Sequence, residues 1–308
     1  MNSQPSDRMT LGSSDLRVSP LGVGTNSWGV NRKADPGLQS TFDAALNRGI
    51  NFFDTAEVYG FGGSERTLGL FLQTTGQPLI TATKFAPLPW RVRKTSLIAA
   101  LQASLARLHL TRADLYLIHF PLTPVSVETW MDALADAVEA GLTRAVGVSN
   151  YNADQMQRAH AALAKRGIAL ACNQVEYSLL RRKVERNGLL ALCKELGVTL
   201  VAYRPLCSGL LSGKYTPDSP PSGLRRRMYD HAYLLRIAPS IDRLREIGQR
   251  QGKTPSQVAL NWVMCQGALP IPGAKNAQQA ADNAGALGWR LEADDLAALD
   301  RACKETSG

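Results

Sequence analysis

Eight times along this chain a short apolar run gives way to a turn and then, in most cases, to an amphipathic segment. That alternation limits the available folds more than any single motif does. The apolar runs are "VSPLGVGT", "INFFDTA", "LITATKF", "DLYLIHF", "RAVGVSN", "LACNQVEY", "TLVAYRPL" and "ALPIPGA". Among the intervening segments, "LQSTFDAALNRG", "SERTLGLFLQTTG", "LIAALQASLARLHL", "VETWMDALADAVEAG" and "ADQMQRAHAALAKRG" repeat their apolar residues at three- and four-residue steps, the helical period. Asn152 with Gln155, and Thr254-Pro255-Ser256-Gln257, carry the pattern of a capping box, the second with proline at the first helical position. Runs that are apolar on nearly every residue suit strands buried on both faces, as in a parallel sheet covered by helices. Eight such units in series predict an α/β fold, a closed (β/α)8 TIM barrel, in preference to an open doubly wound sheet. No low-complexity linker interrupts them. Residues 10–308 therefore read as one barrel domain behind a short disordered start, 1–9.

Composition narrows the function. A hydrophobic content of 44% with 20% charged residues is that of an ordinary globular domain. No run approaches the roughly 18 consecutive apolar residues of a membrane helix. The opening "MNSQPSDRMT" has no apolar core of a secretory signal, so the expected location is the cytoplasm. Five scattered cysteines, none at C-x-x-C spacing, suggest neither disulfides nor zinc, and His109, His160 and His231 show no metal-ligand spacing. The net charge of +9 is dispersed except at Arg225, Arg226 and Arg227, with no zinc-finger or aromatic RNA-binding pattern beside it, so no nucleic-acid partner is expected. "GLLSGKY" fails as a phosphate loop because Tyr215 stands where a magnesium-binding hydroxyl belongs, and "GVGTNS" fails as a dinucleotide fingerprint at its last position.

In a (β/α)8 barrel, sites form where the strands end. Here Asp54, Lys84, His119, Ser149, Asn150, Gln174, Tyr203 and Arg204 interrupt the apolar runs at or near those ends. Each alone reads as a cap, a turn or a satisfied core group; a polar residue on almost every strand end reads as a site. A buried lysine is costly unless paired, and Asp54 on the neighbouring strand is the obvious partner for Lys84. The stretch "FFDTAEVYGFGGSE" carries Tyr59 five residues past Asp54. A tyrosine near a lysine is expected to have its pKa pulled down from about 10, which suits a general acid and base. Asp54, Tyr59, Lys84 and His119 around one point suggest protonation of a carbonyl oxygen as hydride reaches its carbon.

Those residues sit in flanks that resemble the aldo-keto reductase family over about residues 10 to 300. "DTAEVYGFGGSE", "TATKF", "DLYLIHFP", "GVSNY", "NQVEYSLL", "AYRPLCSGLLSGKY" and "IPGAKNAQQAADN" match its signatures in order. The resemblance implies NADPH-dependent reduction of a small-molecule aldehyde or ketone, with NADP(H) expected in preference to NADH. Tyr59 would be the proton donor, tuned by Asp54 and Lys84, with His119 placing the carbonyl. By the same resemblance Tyr203 would stack on the nicotinamide, and Ser149, Asn150 and Gln174 would hold its carboxamide. Gly24, Thr25 and Asp54 would lie near the ribose. Leu206, Ser208, Gly209, Leu211 and Lys214 would follow the pyrophosphate, and Gly273, Lys275, Gln279 and Asn283 the adenosine phosphate, with Arg204 and Pro205 also among the coenzyme contacts. Lys275 suits a 2′-phosphate, whereas Gln279 stands where the family often has arginine. Trp28, Trp90 and Phe120, with Tyr59 and His119, are the candidate substrate contacts, on loops around 24–32, 85–92, 120–126 and 206–235. Two other functions share the scaffold: a coenzyme-sensing binding protein, like the β subunits of voltage-gated potassium channels, and a sugar or polyol dehydrogenase working oxidatively. The oligomeric state is left open, a monomer included.

Overall fold

The computed structural model describes residues 8–29, 36–122 and 124–304. Residues 1–7 of the expected disordered start, and 30–32 and 123 of two expected substrate loops, lie outside the described residues. Met9 already belongs to structure: strand β1 (Met9–Thr10) pairs antiparallel with β2 (Arg17–Val18). The run "VSPLGVGT" is therefore split. Ser19 turns aside to bond Asn51 and Pro20 has no N–H for a ladder, so the first barrel strand, β3, is only Val23–Gly24.

Seven parallel strands follow: β4 (Phe52–Asp54), β5 (Ile80–Phe85), β6 (Ala113–Ile118), β7 (Thr143–Ser149), β8 (Leu170–Glu176), β9 (Thr199–Tyr203) and β10 (Leu269–Ile271). Each pairs with the next in chain order. The Gly22 and Gly24 N–H groups donate to the Pro270 and Pro272 carbonyls at 3.0 and 3.1 Å, bringing the first strand to the last. Helices α1 (Pro36–Asn47), α2 (Gly63–Thr74), α3 (Lys94–Leu108), α4 (Val127–Glu139) and α5 (Ala153–Ala164) follow β3 to β7. The pair α6 (Lys183–Arg186) and α7 (Leu189–Glu195) follows β8. A longer excursion carrying α8 (Leu224–Met228), α9 (His231–Gln251) and α10 (Pro255–Cys265) follows β9, and α11 (Ala277–Ala284) and α12 (Ala293–Lys304) follow β10. Both capping boxes form, at Asn152 with Gln155 and at Thr254 with Gln257. Among the described residues no helix is long and apolar enough to cross a membrane.

Side chains alternate across each strand, so two cores arise. Phe52, Ile80, Ala82, Leu115, Leu117, Ala145, Cys172, Val201, Leu269 and Ile271 fill the barrel, joined by Leu11, Leu16 and Val18 from the hairpin segment. Phe53, Phe85, Tyr116, Ile118, Val146 and Val148 face outward into the helical layer. The inside is tight enough that a Cβ on Gly147 would lie 2.6 Å from the Cys172 sulfur.

Candidate active site

The alternation that builds the inner core also builds the site. Two residues beyond Phe52 on the same strand face is Asp54, two beyond Ala82 is Lys84, and two beyond Leu117 is His119. The same step leads from Gly147 to Ser149, from Cys172 to Gln174 and from Val201 to Tyr203. Each candidate is the next inward position after an apolar one, so together they form the polar end of the barrel filling.

Lys84 is 0% exposed, and its ammonium donates to Asp54 Oδ2 at 2.7 Å and to the Thr55 carbonyl at 2.7 Å. It also donates to the Tyr59 hydroxyl at 3.4 Å. Asp54 Oδ1 accepts from Gln174 Nε2 at 2.7 Å, so both carboxylate oxygens are committed. Burial disfavours the lysine's charge, but Asp54 and Tyr59 outweigh it and hold the pKa above the ordinary value. The Tyr59 ring meets the His119 ring edge-on at 5.6 Å between centroids. Burial is also the largest influence on Tyr59 and raises its pKa above 10, although Lys84 pulls the other way. The expected fall in the Tyr59 pKa is therefore reversed: the phenol is held as the acid. His119 is pushed down to about 3, first by burial and then by Lys84, so its ring is neutral, and its buried Nδ1 has no hydrogen-bond partner among the described residues. A neutral imidazole and a protonated phenol side by side can both donate to a carbonyl oxygen.

The next strands add a rigid polar chain. Asn150, at φ 64°, donates from Nδ2 to the His119 carbonyl at 3.1 Å and accepts the Tyr203 hydroxyl at 2.9 Å. Asn tolerates that left-handed backbone better than most residues. The Ser149 hydroxyl donates to the Gln174 carbonyl at 2.8 Å. Gly24 sits at the β3–β10 seam. Thr25 departs from expectation: it is fully buried, and both its N–H and its hydroxyl donate to the Asp54 carbonyl at 2.9 Å. Its side chain shapes the wall and is not free for a ligand.

The matching family model, "Aldo/keto reductase family", covers residues 20–304. The chain belongs to this family. As an aldo-keto reductase it is an NAD(P)H-dependent oxidoreductase. It is 39% identical over 310 aligned positions to the chloroplastic pyridoxal reductase of Arabidopsis thaliana, covering 94% of this chain and 85% of that one. The aldo-keto reductase yakc [NADP(+)] of Schizosaccharomyces pombe is 31% identical, over 91% of this chain and 88% of that one. Among solved structures, the glycerol dehydrogenase of Gluconobacter oxydans superposes with a TM-score of 0.89 at 27% identity, covering 99% and 97% of the two chains. An aldo/keto reductase of Klebsiella pneumoniae, solved with NADP and acetate, gives 0.76 at 28% identity over 95% and 94%.

In this reductase the segment after β9 fits a dinucleotide phosphate. Arg204, Cys207, Ser208, Gly209 and Gly213 all have positive φ, and the Cys207, Gly209 and Gly213 N–H groups close on the Arg204, Leu206 and Leu210 carbonyls, which fixes the winding. The Ser208 hydroxyl and the Lys214 ammonium have no hydrogen-bond partner among the described residues. Pro205 and Leu211 are buried; Leu211 is wholly so, its N–H donating to the Leu206 carbonyl at 3.3 Å, and it departs from expectation as a coenzyme contact. Past β10, Lys275 is exposed and pairs with no described carboxylate. Gln279 Oε1 accepts the Lys275 N–H at 2.9 Å and fixes that turn, while Asn283 donates to the Gly273 carbonyl at 3.4 Å.

Of the candidate substrate contacts, Trp90 is 74% exposed at the rim, and Phe120 stacks on His119 with centroids 4.2 Å apart. Trp28 departs from expectation. It is fully buried outside the barrel beside Phe53 and Phe71, and its indole N–H donates to the Ala274 carbonyl at 2.8 Å. It packs the outer layer and does not line the mouth. Sequence reasoning missed the supports: a buried hydroxyl cluster of Thr25, Thr55 and Ser64, and Glu65 with Thr83 and Arg107. Thr55, Ser64 and Glu65 lay within the quoted signature, and only their proximity in the fold separates them from Tyr59.

Proposed function

We propose that this chain reduces an aldehyde or ketone to the alcohol with NADPH, and that Tyr59 donates the proton to the carbonyl oxygen. The observation that carries this reading is the buried Lys84 ammonium, within 2.7 Å of Asp54 and 3.4 Å of the Tyr59 hydroxyl. When bound, the reduced coenzyme supplies hydride to the carbonyl carbon. The protein's share is to orient the carbonyl and manage one proton. The neutral His119 and the Tyr59 phenol both donate to the carbonyl oxygen, and as charge grows there the Tyr59 proton transfers to it. Lys84 stabilises the phenolate that remains, and Asp54, itself fixed by Gln174, keeps the lysine charged and in place.

Tyr203, Asn150, Ser149 and Gln174 form the wall for the nicotinamide. The Ser208 hydroxyl and the Lys214 ammonium would hold the pyrophosphate. Lys275, exposed past β10, would pair with a 2′-phosphate, which favours NADP over NAD. Pyridoxal, the aldehyde in the plant relative's name, is the first substrate to try. The reading includes a cytoplasmic enzyme, supported by five cysteines that stand outside any disulfide among the described residues. The likeness to a glycerol dehydrogenase supports an oxidative second reading. The same residues serve both directions, because the proton donor of the reduction is the base of the oxidation, and the ratio of reduced to oxidised coenzyme decides between them.

Tyr59→Phe is the test. Turnover of NADPH with pyridoxal and a panel of carbonyls should fall by about 10²-fold or more, while NADPH affinity by fluorescence titration stays close to wild type. Equal activity in the variant would sink the assignment. Tight NADPH binding with no turnover of any carbonyl or alcohol by the wild type would favour the coenzyme-sensing alternative.

A further inference from the structure

Glu57 lies two residues before Tyr59, and the chemistry above does not use it. Its side chain is only 8% exposed. A buried carboxylate needs strong partners, and both of its partners lie on the neighbouring loop. Glu57 Oε1 accepts the Ala86 N–H at 2.7 Å and an Arg91 guanidinium N–H. The same Arg91 nitrogen donates to the Ala86 carbonyl at 3.2 Å, and the guanidinium lies 5.3 Å from the Phe85 ring centroid. The Arg91 backbone N–H closes on the Leu88 carbonyl at 2.8 Å. One carboxylate thus holds both ends of the turn 86–91, just after the strand carrying Lys84. That turn contains Pro87 and Pro89, which stiffen it, and it presents Trp90 to solvent. Val58 beside Tyr59, and Phe120 and Leu122 beside His119, are exposed apolar groups on the two flanking loops. The one cation on the turn, Arg91, is neutralised by Glu57.

We propose that Glu57 and Arg91 are positioning residues that determine specificity. Their ion pair locks the Tyr59 loop to the Trp90 turn and fixes that turn as an apolar shelf that selects carbonyls with a flat, apolar body over small polar ones. The inference rests on the reductase reading of Tyr59 and His119. It adds a substrate class and two residues that never touch the reacting atoms.

The experiment compares wild type with Glu57→Gln, Arg91→Met, their double variant, Trp90→Ala and Glu57→Gln in the Trp90→Ala background. Substrates are 2-naphthaldehyde and propanal, with NADPH. KM for 2-naphthaldehyde should rise about tenfold in each single variant and no further in the double, because one coupled pair is broken either way. KM for propanal and the NADPH affinity should each change by less than about twofold, since neither uses the shelf. In the Trp90→Ala background, Glu57→Gln should add nothing. Fluorescence anisotropy assigned to Trp90, by difference from Trp90→Phe, should fall in Glu57→Gln as the turn loosens. Additive single effects, equal shifts for both aldehydes, or unchanged Trp90 anisotropy would each overturn the proposal. A wild type that reduces no carbonyl would instead refute the reductase reading, and the anisotropy would still judge the clasp.

Discussion

His119 offers a sharp quantitative test of the site's electrostatics. The folded protein holds its imidazole at a pKa of about 3, against an ordinary value of 6.5, through burial and the Lys84 charge. The unfolded chain therefore binds a proton at this position between those two values, and the folded chain refuses it. Stability due to this group is complete above the unfolded pKa and is lost as the pH falls below it. Linkage puts the loss at about 1 kcal/mol on going from about pH 7 to 5.5, and about 3 kcal/mol on going to about pH 4. His119→Asn removes the titrating group and keeps a polar side chain there. Urea unfolding of both proteins at each pH separates this contribution from the carboxylates, which titrate in both. The wild type should lose about 3 kcal/mol more than the variant by about pH 4. Parallel curves would mean that His119 takes up its proton over the same range folded and unfolded, so that burial and Lys84 do not hold the imidazole neutral below pH 6.5.

Asp54→Asn leaves the Lys84 ammonium buried with no counter-charge, which should cost about 3–5 kcal/mol by urea unfolding and also reduce turnover. A loss under about 1 kcal/mol would show that the pair is better solvated than its burial implies. Gly63→Ala tests how the loop after β3 docks on the Tyr59 loop, because the new Cβ would lie 2.2 Å from the Gly29 carbonyl oxygen. The backbones must separate, so about 1–3 kcal/mol of stability should be lost. Catalytic efficiency should fall in parallel, read as kcat/KM.

The barrel was legible because its signal is repetitive: eight apolar runs and helices of the right period leave few folds. The grouping of Asp54, Lys84 and His119 was legible because they break apolar runs where the strands end. What stayed hidden depends on which way a side chain faces from irregular backbone. Trp28 follows a strand just as Trp90 does, yet one lies beneath α1 and α2 chemistry-free and the other stands in solvent. The loop preceding each carries no periodicity to tell them apart. The split of the first predicted strand had a local cause in Ser19 and Pro20, although the Asn51 partner that fixes it is distant in sequence. The Tyr59 pKa went the other way from expectation because a sequence shows a neighbouring charge but not the depth at which both are buried.

That reversal bears on how the site works. A lysine beside a tyrosine is commonly read as a device for making phenolate, yet Lys84 spends its shortest contacts on Asp54 and the Thr55 carbonyl, both at 2.7 Å, and reaches Tyr59 only at 3.4 Å. Asp54 also acts on Tyr59, and its negative charge opposes ionisation. The pair as a whole is close to neutral when seen from the phenol, and burial then decides in favour of the protonated form. Lys84 remains near enough to stabilise negative charge as it develops on the Tyr59 oxygen. In the proposed role of donor, a phenol that is protonated at rest and stabilised only as its proton leaves would suit a site complementary to the transition state rather than to the resting carbonyl.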